Sequence, residues 1–376
     1  MYILLLFLLL VSLGLGVGVS VTPHLHFTDS LGREVDVLIP GTTLQSKFPF
    51  YHSTSEIHEK ILQHEKSCHV PIKVKSKSCG NDCVIDIVDI GHSGAKEKVF
   101  LLFGEHAREL VSPETAIGLI EALCSESDGG IFLKSEALKV AQYRIIPNGN
   151  PSSRSKVELG QYCLRTNQNG VDLNRNWGYQ WSPTAPPGSP EADQLEPGSG
   201  AFSERETKIF KSAVEEFRPT VFAAIHSGTM GMYMPWAYSS TPNGRAKKMR
   251  NSRKMKEVLS ELDSKYCQCP SGAAAEEVGY DSAGTCLDWV HSRTTTKYSF
   301  AFEIFTGNGV EELRQRYKDQ KIRGGNSLLQ ISLEDQESSQ MDCFEQFNPK
   351  TFETYKTVID NWTKALIELP IMTSRK

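Results

Sequence analysis

The chain of 376 residues is short of several features that would give an easy reading. It has almost no charge imbalance: 41 Lys and Arg stand against 45 Asp and Glu, a formal net charge of -4, and no long run carries one sign. A nucleic-acid partner is therefore not indicated. No internal repeat occurs, which sets aside repeat architectures. No second apolar span follows the N-terminal one, and the tail ELPIMTSRK is too short and polar to anchor the chain in a membrane. Glycine and proline are unremarkable, and with 39% hydrophobic and 23% charged residues the composition is that of a globular chain with ample core.

What is present begins with MYILLLFLLLVSLGLGVGVSVTP, apolar almost without a break. Its Leu-rich core and the small residues Gly16, Gly18 and Ser20 predict a signal peptide over 1–20, although the start lacks Lys and Arg. An uncleaved signal anchor, tethering the chain to a membrane, is the alternative. Residues 21–47 are too short to be a folded domain and read as a short N-terminal segment or propeptide. Nine cysteines remain: Cys68, Cys79, Cys83, Cys124, Cys163, Cys267, Cys269, Cys286 and Cys343. In an oxidising, extracellular or secretory-pathway compartment they allow up to four disulfides and one free thiol, with Cys68, Cys79 and Cys83 close enough for a local staple. Neither Cys79-x3-Cys83 nor Cys267-x-Cys269 has the paired spacing of a structural zinc site. One glycan acceptor motif, Asn361-Trp362-Thr363, falls in a helical-looking stretch.

Strand-like and helix-like segments alternate. Strands are predicted at 83–91, 98–104, 142–147, 220–226 and 297–305, and helices at 53–65, 113–125, 203–217, 242–264 and 351–368. Most strands are continuous apolar runs, as when helices cover both faces. The predicted class is α/β with a largely parallel or mixed sheet. Two stretches, 182–200 and 318–340, read as loops.

The chemistry gathers at strand ends. In LLFGEHARELVSPETAIG the strand stops at Gly104, and His106, Arg108 and Glu109 follow within a few positions. His226 closes the strand TVFAAIH. Glu303 interrupts the apolar run SFAFEIF, where an unpaired carboxylate is costly. Ligands bind beyond the carboxyl ends of strands in open α/β sheets. Two imidazoles and a carboxylate are a hydrolytic zinc set that leaves a fourth position for water. Taken singly, His-x-x-Glu is common, a strand-end His is ordinarily a core or loop residue, and Glu303 has a salt bridge to a helix as its plainer reading. The segment YCLRTNQNGVDLNRNWGYQW adds Arg165, Asn174, Arg175 and Asn176. Arg175 presents a planar fork suited to gripping a carboxylate, with pairing to Asp172 in a solvated loop as the alternative.

FGEHARE, LRTNQNGVDLNRNW, IHSG, SAGTCLDW and KYSFAFEIF occur in this order, and with them the chain resembles the zinc carboxypeptidases of the carboxypeptidase A/B family from about Tyr51 to Leu369. The resemblance implies a mixed, largely eight-stranded twisted sheet with helices on both faces, forming a catalytic domain over 48–372. It implies one zinc ion held by His106, Glu109 and His226. Glu303 would be the general base and Arg165 the oxyanion holder. Arg175, with Asn174 beside it, would clamp a substrate's terminal carboxylate, and Arg108 would be a secondary carboxylate site. Tyr280, eight residues before Asp288, takes the place of the mobile tyrosine that covers substrate. Leu287 would line the pocket for the C-terminal side chain, with Ala237, Gly279 and Ala301 as small wall positions. A neutral floor implies apolar or aromatic C-terminal residues.

Two departures stand out. Gly228 occupies a position where pancreatic relatives carry tyrosine, and the spacing between LDW and FAFE differs slightly. The large inhibitory prodomain of digestive zymogens has no counterpart, so residues 21–47 are a short propeptide or the enzyme is made active. The expected protein is a secreted, monomeric, zinc-dependent peptide hydrolase acting on peptide or protein C-termini. The readings held against it are a catalytically inactive secreted binding protein of the same fold, a trimmer of acidic tubulin-like tails, which a signal peptide disfavours, and a metal-free structural glycoprotein.

Overall fold

A computed structural model describes residues 24–28, 34–38, 43–80, 83–126, 133–184, 195–239, 249–307 and 333–376. The proposed signal peptide, 21–23, 29–33 and 39–42, and most of the two loop stretches lie outside the described residues. In chain order the elements are β1 (His24–Thr28), β2 (Glu34–Leu38), α1 (Leu44–Lys47), α2 (Thr54–Ser67), β3 (Ile72–Gly80), β4 (Cys83–Ile90), β5 (Glu97–Phe103), α3 (Val111–Cys124), α4 (Leu133–Val140) and β6 (Ala141–Ile146). There follow α5 (Pro151–Glu158), α6 (Arg205–Phe217), β7 (Val221–His226), β8 (Met230–Met234), α7 (Ser252–Leu262), β9 (Ser271–Ala273), α8 (Ala274–Val278), α9 (Cys286–Arg293), β10 (Tyr298–Ile304), α10 (Leu333–Phe347) and α11 (Phe352–Ser374).

Eight strands form one mixed sheet in the order β3-β4-β6-β5-β7-β10-β8-β9, and β1 and β2 form a separate antiparallel ribbon. The central strands β6, β5, β7 and β10 are mutually parallel. Their carboxyl ends share one edge, so residues far apart in sequence meet there. Side chains alternate across the sheet. Leu101, Phe103, Ala223, Ile225, Phe300 and Phe302 face a core packed by α2, α3, α7 and α11. Phe100, Leu102, Phe222 and Ala224 face a second core under α6 and α9. Burial on both faces explains the continuous apolar runs. By the same alternation His226, Ala301 and Glu303 lie on the second face.

The five predicted strands and the helices at 53–65, 113–125, 203–217 and 351–368 are present with ends shifted by a few residues. The helix expected at 242–264 is shorter: α7 runs from Ser252 to Leu262 and continues into a wider turn over Asp263–Cys267; 240–248 lie outside the described residues. The reading of 318–340 as loop is corrected, because residues from 333 onwards belong to α10. The buried Phe344 and Phe347 that anchor this helix fall beyond that window. β3 went unrecognised because Lys73, Lys75 and Lys77 punctuate it. Such lysines suit a strand at the sheet edge, where they discourage pairing with another chain.

All eight cysteines expected in disulfides are paired: Cys68–Cys124, Cys79–Cys83, Cys163–Cys343 and Cys267–Cys269. Cys286 is the free, buried thiol. The local staple is Cys79–Cys83 alone, and Cys68 instead ties the end of α2 to α3. Asn361 sits within α11 and its amide donates to the Tyr266 carbonyl at 2.8 Å, while Trp362 and Thr363 are buried. Among the described residues no helix is long and apolar enough to cross a membrane.

Candidate metal centre and substrate site

The chain leaves β5 through Gly104, whose φ of +64° and contact with Pro113 both require glycine. The sharp turn sets His106 and Glu109 over the end of β5, and α3 begins directly afterwards. Ser112 on α3 locks the turn: its hydroxyl donates to the Ile225 carbonyl at 2.6 Å and accepts from the Gly104 N–H at 3.1 Å. Asn348 holds the other side, bonding the Arg108 carbonyl at 2.8 Å and the Val111 N–H at 3.0 Å.

His106, Glu109 and His226 are brought together, all nearly fully buried. Their donor atoms lie within 4.8 Å of one another. Nδ1 of His106 is 2.7 Å from Glu109 Oε1, Nδ1 of His226 is 2.9 Å from Glu109 Oε2, and the two Nδ1 atoms are 3.2 Å apart. Two imidazole nitrogens and a carboxylate converging on one point could hold a shared cation. The set suits a divalent metal that takes N and O ligands. Burial works to raise the Glu109 carboxyl, but the two imidazoles outweigh it and hold it well below the usual range. Burial opposes charge on His226, yet Glu109, aided by Glu303 and Glu105, raises its pKa to about 9. A proton is therefore held where a metal would compete for the same lone pair.

Glu303 enters from β10, paired in register with His226 on β7 and Gly231 on β8. It is half-buried, and no ion pair to a helix exists among the described residues. Its carboxylate accepts from the Thr229 N–H at 3.5 Å. Burial, reinforced by the charge of Glu109, pushes its pKa up to about 7. A carboxylate so tuned is suited to taking up and releasing a proton near neutral pH.

Asp172, fully buried, connects the metal-type cluster to the arginines. Oδ1 is 3.1 Å from His106 Nε2 and Oδ2 accepts from Arg165 Nε at 2.9 Å. Arg175 Nη1 is 3.9 Å from Oδ2, farther from the Asp172 carboxylate than His106, Arg165 and the Asn174 N–H, which reaches Oδ1 at 2.9 Å. Burial works against ionisation of Asp172, but Arg165, Arg175 and His106 keep it well below the usual range. Arg175 is buried, donates to the Asn174 carbonyl at 2.9 Å and to Ser282 at 3.2 Å, and its Nε has no hydrogen-bond partner. A buried guanidinium with unused donor capacity fits an anionic ligand. Asn174 uses its side-chain oxygen to accept from the Cys286 N–H at 2.9 Å. Arg108 stacks on Phe347, 4.0 Å from guanidinium carbon to ring centre, and bonds the Cys163 carbonyl at 3.3 Å.

Leu287 is buried in a small cluster with Tyr233, Ala237 and Ala274, against which Val278 and Ala301 pack. Gly279 lies at the exposed end of α8 with φ of +80°, and Tyr280, partly exposed, follows it. The neighbouring acid, Asp288, is not free to receive a cation: both its oxygens accept backbone N–H groups of Ala237 and Tyr238 at 2.9–3.0 Å.

Sequence reading missed four side chains. Asp172 was seen only as a partner for Arg175. Glu105 and Trp177 fall inside the FGEHARE and LRTNQNGVDLNRNW blocks but had no role assigned there, and Tyr233 lies in none of the blocks. Tyr233 faces Ala301 across the strands and leans over Gly231, where an added Cβ would lie 2.3 Å from its hydroxyl. Burial and then the charge of Glu303 push its pKa up to about 12. A glycine two residues before a tyrosine on a short strand was the available signal.

Residues 71–311 match the model of a family described as zinc carboxypeptidase. Curated relatives include "Zinc carboxypeptidase A 1" of Anopheles gambiae, 24% identical over 285 residues, spanning 70% of this chain and 63% of that protein. Mast cell carboxypeptidase A of Mus musculus is 25% identical over 259 residues, 65% of this chain and 60% of the relative. The chain thus spans somewhat under two thirds of these proteins. Among solved structures, the carboxypeptidase A from Helicoverpa armigera superposes with a TM-score of 0.62 at 17% identity, covering 86% of this chain and 73% of that one. Thrombin activatable fibrinolysis inhibitor gives 0.60 at 20% identity, covering 70% and 68%. At such identities the superpositions speak to the fold, a mixed eight-stranded sheet between helices.

Proposed function

The chain belongs to the zinc carboxypeptidase family, and from that premise we propose that it is a zinc-dependent enzyme removing the C-terminal residue of peptides or proteins. The single observation that carries this reading is the shared point of His106, Glu109 and His226, flanked by Glu303 on one side and the Asp172–Arg165–Arg175 chain on the other. In the proposal the two Nδ1 atoms and the Glu109 carboxylate hold one zinc ion. Zinc, when bound, supplies Lewis acidity, polarising a carbonyl and acidifying water. Arg175 binds the substrate's terminal carboxylate, with Asn174 and Arg108 beside the path to it. Arg165, oriented by Asp172, donates to the oxyanion that develops on the scissile carbonyl; loss of one such donor typically costs about 10²- to 10³-fold in rate. Glu303 takes a proton from the attacking water and returns it to the leaving amine. Tyr280 closes over the bound residue, whose side chain enters the cluster around Leu287, a surface that favours apolar groups.

The catalytic domain in this reading covers 48–372, with 1–20 removed as a signal peptide, 21–47 preceding it, and the monomer as the working unit. Leu44, buried in one cluster with Phe48, Phe344 and Tyr51, continues the domain's packing slightly upstream of 48. Four disulfides support a secretory route. An inactive binding protein of the same fold is disfavoured because every member of the cluster and its flanking acid and arginines is present.

The test is hydrolysis of a panel of blocked peptides differing in C-terminal residue, with and without a chelator. Stepwise loss of single C-terminal residues, abolished by chelation and restored by zinc, is expected. No hydrolysis of any member by zinc-loaded protein would favour the binding-protein reading.

A further inference from the structure

Glu105, immediately before His106, is 1% exposed and belongs to none of the roles above. Its neighbours are unusual for a buried carboxylate. Among the described residues no Arg or Lys pairs with it. Trp177 Nε1–H donates to Oε1 at 2.9 Å, and the Cys286 thiol donates to Oε2 at 3.6 Å. On the same Oε2, 3.6 Å away, lies Nε2 of His226, the nitrogen turned away from Glu109. That Nε2 is buried and makes no hydrogen bond, so Glu105 Oε2 stands just beyond hydrogen-bond reach of it. An unpaired carboxylate in such a place costs free energy unless donors meet it. Here the donors are an indole, a thiol and an imidazole.

The arrangement repeats a pattern on the other imidazole. His106 turns Nδ1 to Glu109 and Nε2 to the buried Asp172. His226 turns Nδ1 to Glu109 and Nε2 towards the buried Glu105. A carboxylate on the outer nitrogen selects the tautomer whose inner lone pair is free for a metal, and fixes the ring plane.

We propose that Glu105, itself fixed by Trp177 and Cys286, is a positioning residue for His226: it accepts the Nε2–H and keeps the Nδ1 lone pair aimed at the metal point shared with His106 and Glu109. This rests on the zinc-site reading above. The two ends of the device come from distant segments, Trp177 after the Asn174–Arg175 turn and Cys286 at the start of α9. Cys286 N–H also bonds Asn174, so the brace on His226 shares a scaffold with the substrate-carboxylate site.

The experiment measures zinc affinity by competition with a fluorescent chelator for wild type, Glu105→Gln and Glu105→Asp, together with the melting temperature of each metal-free protein. Gln keeps the volume but can turn an N–H towards Nε2, and Asp keeps the charge but withdraws it. Both are expected to weaken zinc binding by about 10- to 100-fold, and the melting temperatures show whether each metal-free variant still folds. In zinc-loaded wild type, the ring ¹⁵N and ¹H resonances of His226 should show the proton on Nε2; this readout does not depend on either variant folding. Zinc affinities within about twofold of wild type, or a proton on Nδ1 of His226, would overturn the proposal. If wild type binds zinc and the variants equal it, only the role of Glu105 fails. If wild type takes up no zinc, the functional reading fails with it.

Discussion

His106 and Asp172, 66 positions apart in sequence, meet with Nε2 3.1 Å from Oδ1, and the same carboxylate holds Arg165 through its other oxygen. One buried acid thus orients a candidate metal ligand and a candidate oxyanion donor together. Asp172→Asn should therefore affect both. Zinc affinity is expected to fall by about 10- to 100-fold, and kcat at saturating zinc to fall as well, because Arg165 loses its charged anchor. Chelator competition and steady-state kinetics on the zinc-loaded variant separate the two. Unchanged affinity together with unchanged kcat would reduce Asp172 to a packing residue.

Glu303→Gln keeps the shape of the side chain and removes its basicity. We expect kcat to fall by at least about 10²-fold with zinc still bound, checked by elemental analysis of the variant. The acid limb of kcat/KM should also change. Burial and Glu109 raise Glu303 to about 7 in the metal-free protein. A protonated carboxyl cannot accept a proton, so activity is lost as pH falls through its pKa. A divalent cation beside it favours the ionised form, so the limb of the loaded enzyme should lie below 7. A Gln variant that retained that limb would assign it to another group.

Selectivity should follow the cluster around Leu287. Wild type is expected to prefer C-terminal Phe or Leu over Lys or Arg, since an unpaired ammonium buried there costs several kcal/mol. Leu287→Asp should shift the ratio of kcat/KM values towards Lys and Arg by at least about tenfold. Competition assays on peptides with matched sequences measure the ratio directly. A wild-type preference for basic residues would contradict the assignment of Leu287 as the determinant.

Gly228 has φ of +125°, and a Cβ there would lie 2.1 Å from the ring of Phe347. That ring supports Arg108, and Cys163–Cys343 ties α10, which ends in Phe347, to the segment just before Arg165. Gly228→Ala should destabilise the fold by roughly 1–3 kcal/mol, and raise KM more than it lowers kcat as Phe347 moves under Arg108. Denaturant unfolding and steady-state kinetics check the two parts.

His291 is 1% exposed, accepts from the Arg250 N–H at 3.3 Å through Nε2, and has no partner on Nδ1. Burial and then Arg250 lower its pKa to about 4. The folded protein holds it neutral while the unfolded chain protonates it below about 6.5. Between those values the unfolded state binds more protons, so stability should fall as pH drops from about 6.5 to 4, by up to roughly 3 kcal/mol from this group. His291→Gln should flatten the melting temperature over that window.

The sequence was most legible where burial enforces a pattern. Continuous apolar runs identified the central strands, and polar groups at their ends marked His106, Glu109, His226 and Glu303. Edge elements were less visible. β3 is written with alternating lysines and β8 is short and built from Met and Gly, so neither has the apolar run that burial on both faces produces. The helix α10 was hidden because its anchoring Phe344 and Phe347 lie at its far end. Carboxylates that serve other side chains were hidden for a different reason. Asp172 and Glu105 act through neighbours that only the sheet brings within reach, and no local spacing encodes that. Tyr233 is comparable: its place beside Glu303 depends on the antiparallel register of β8 and β10.

The central claim is that Arg175 receives the free carboxylate of a peptide's last residue. The most direct measurement is the initial rate of cleavage by zinc-loaded protein on two peptides identical except that one ends in a free carboxylate and the other in an amide. The account predicts rapid release of the final residue from the free acid and near-abolition of cleavage on the amide, because an amide leaves the buried guanidinium without its anion. Equal rates on the two peptides would contradict the assignment.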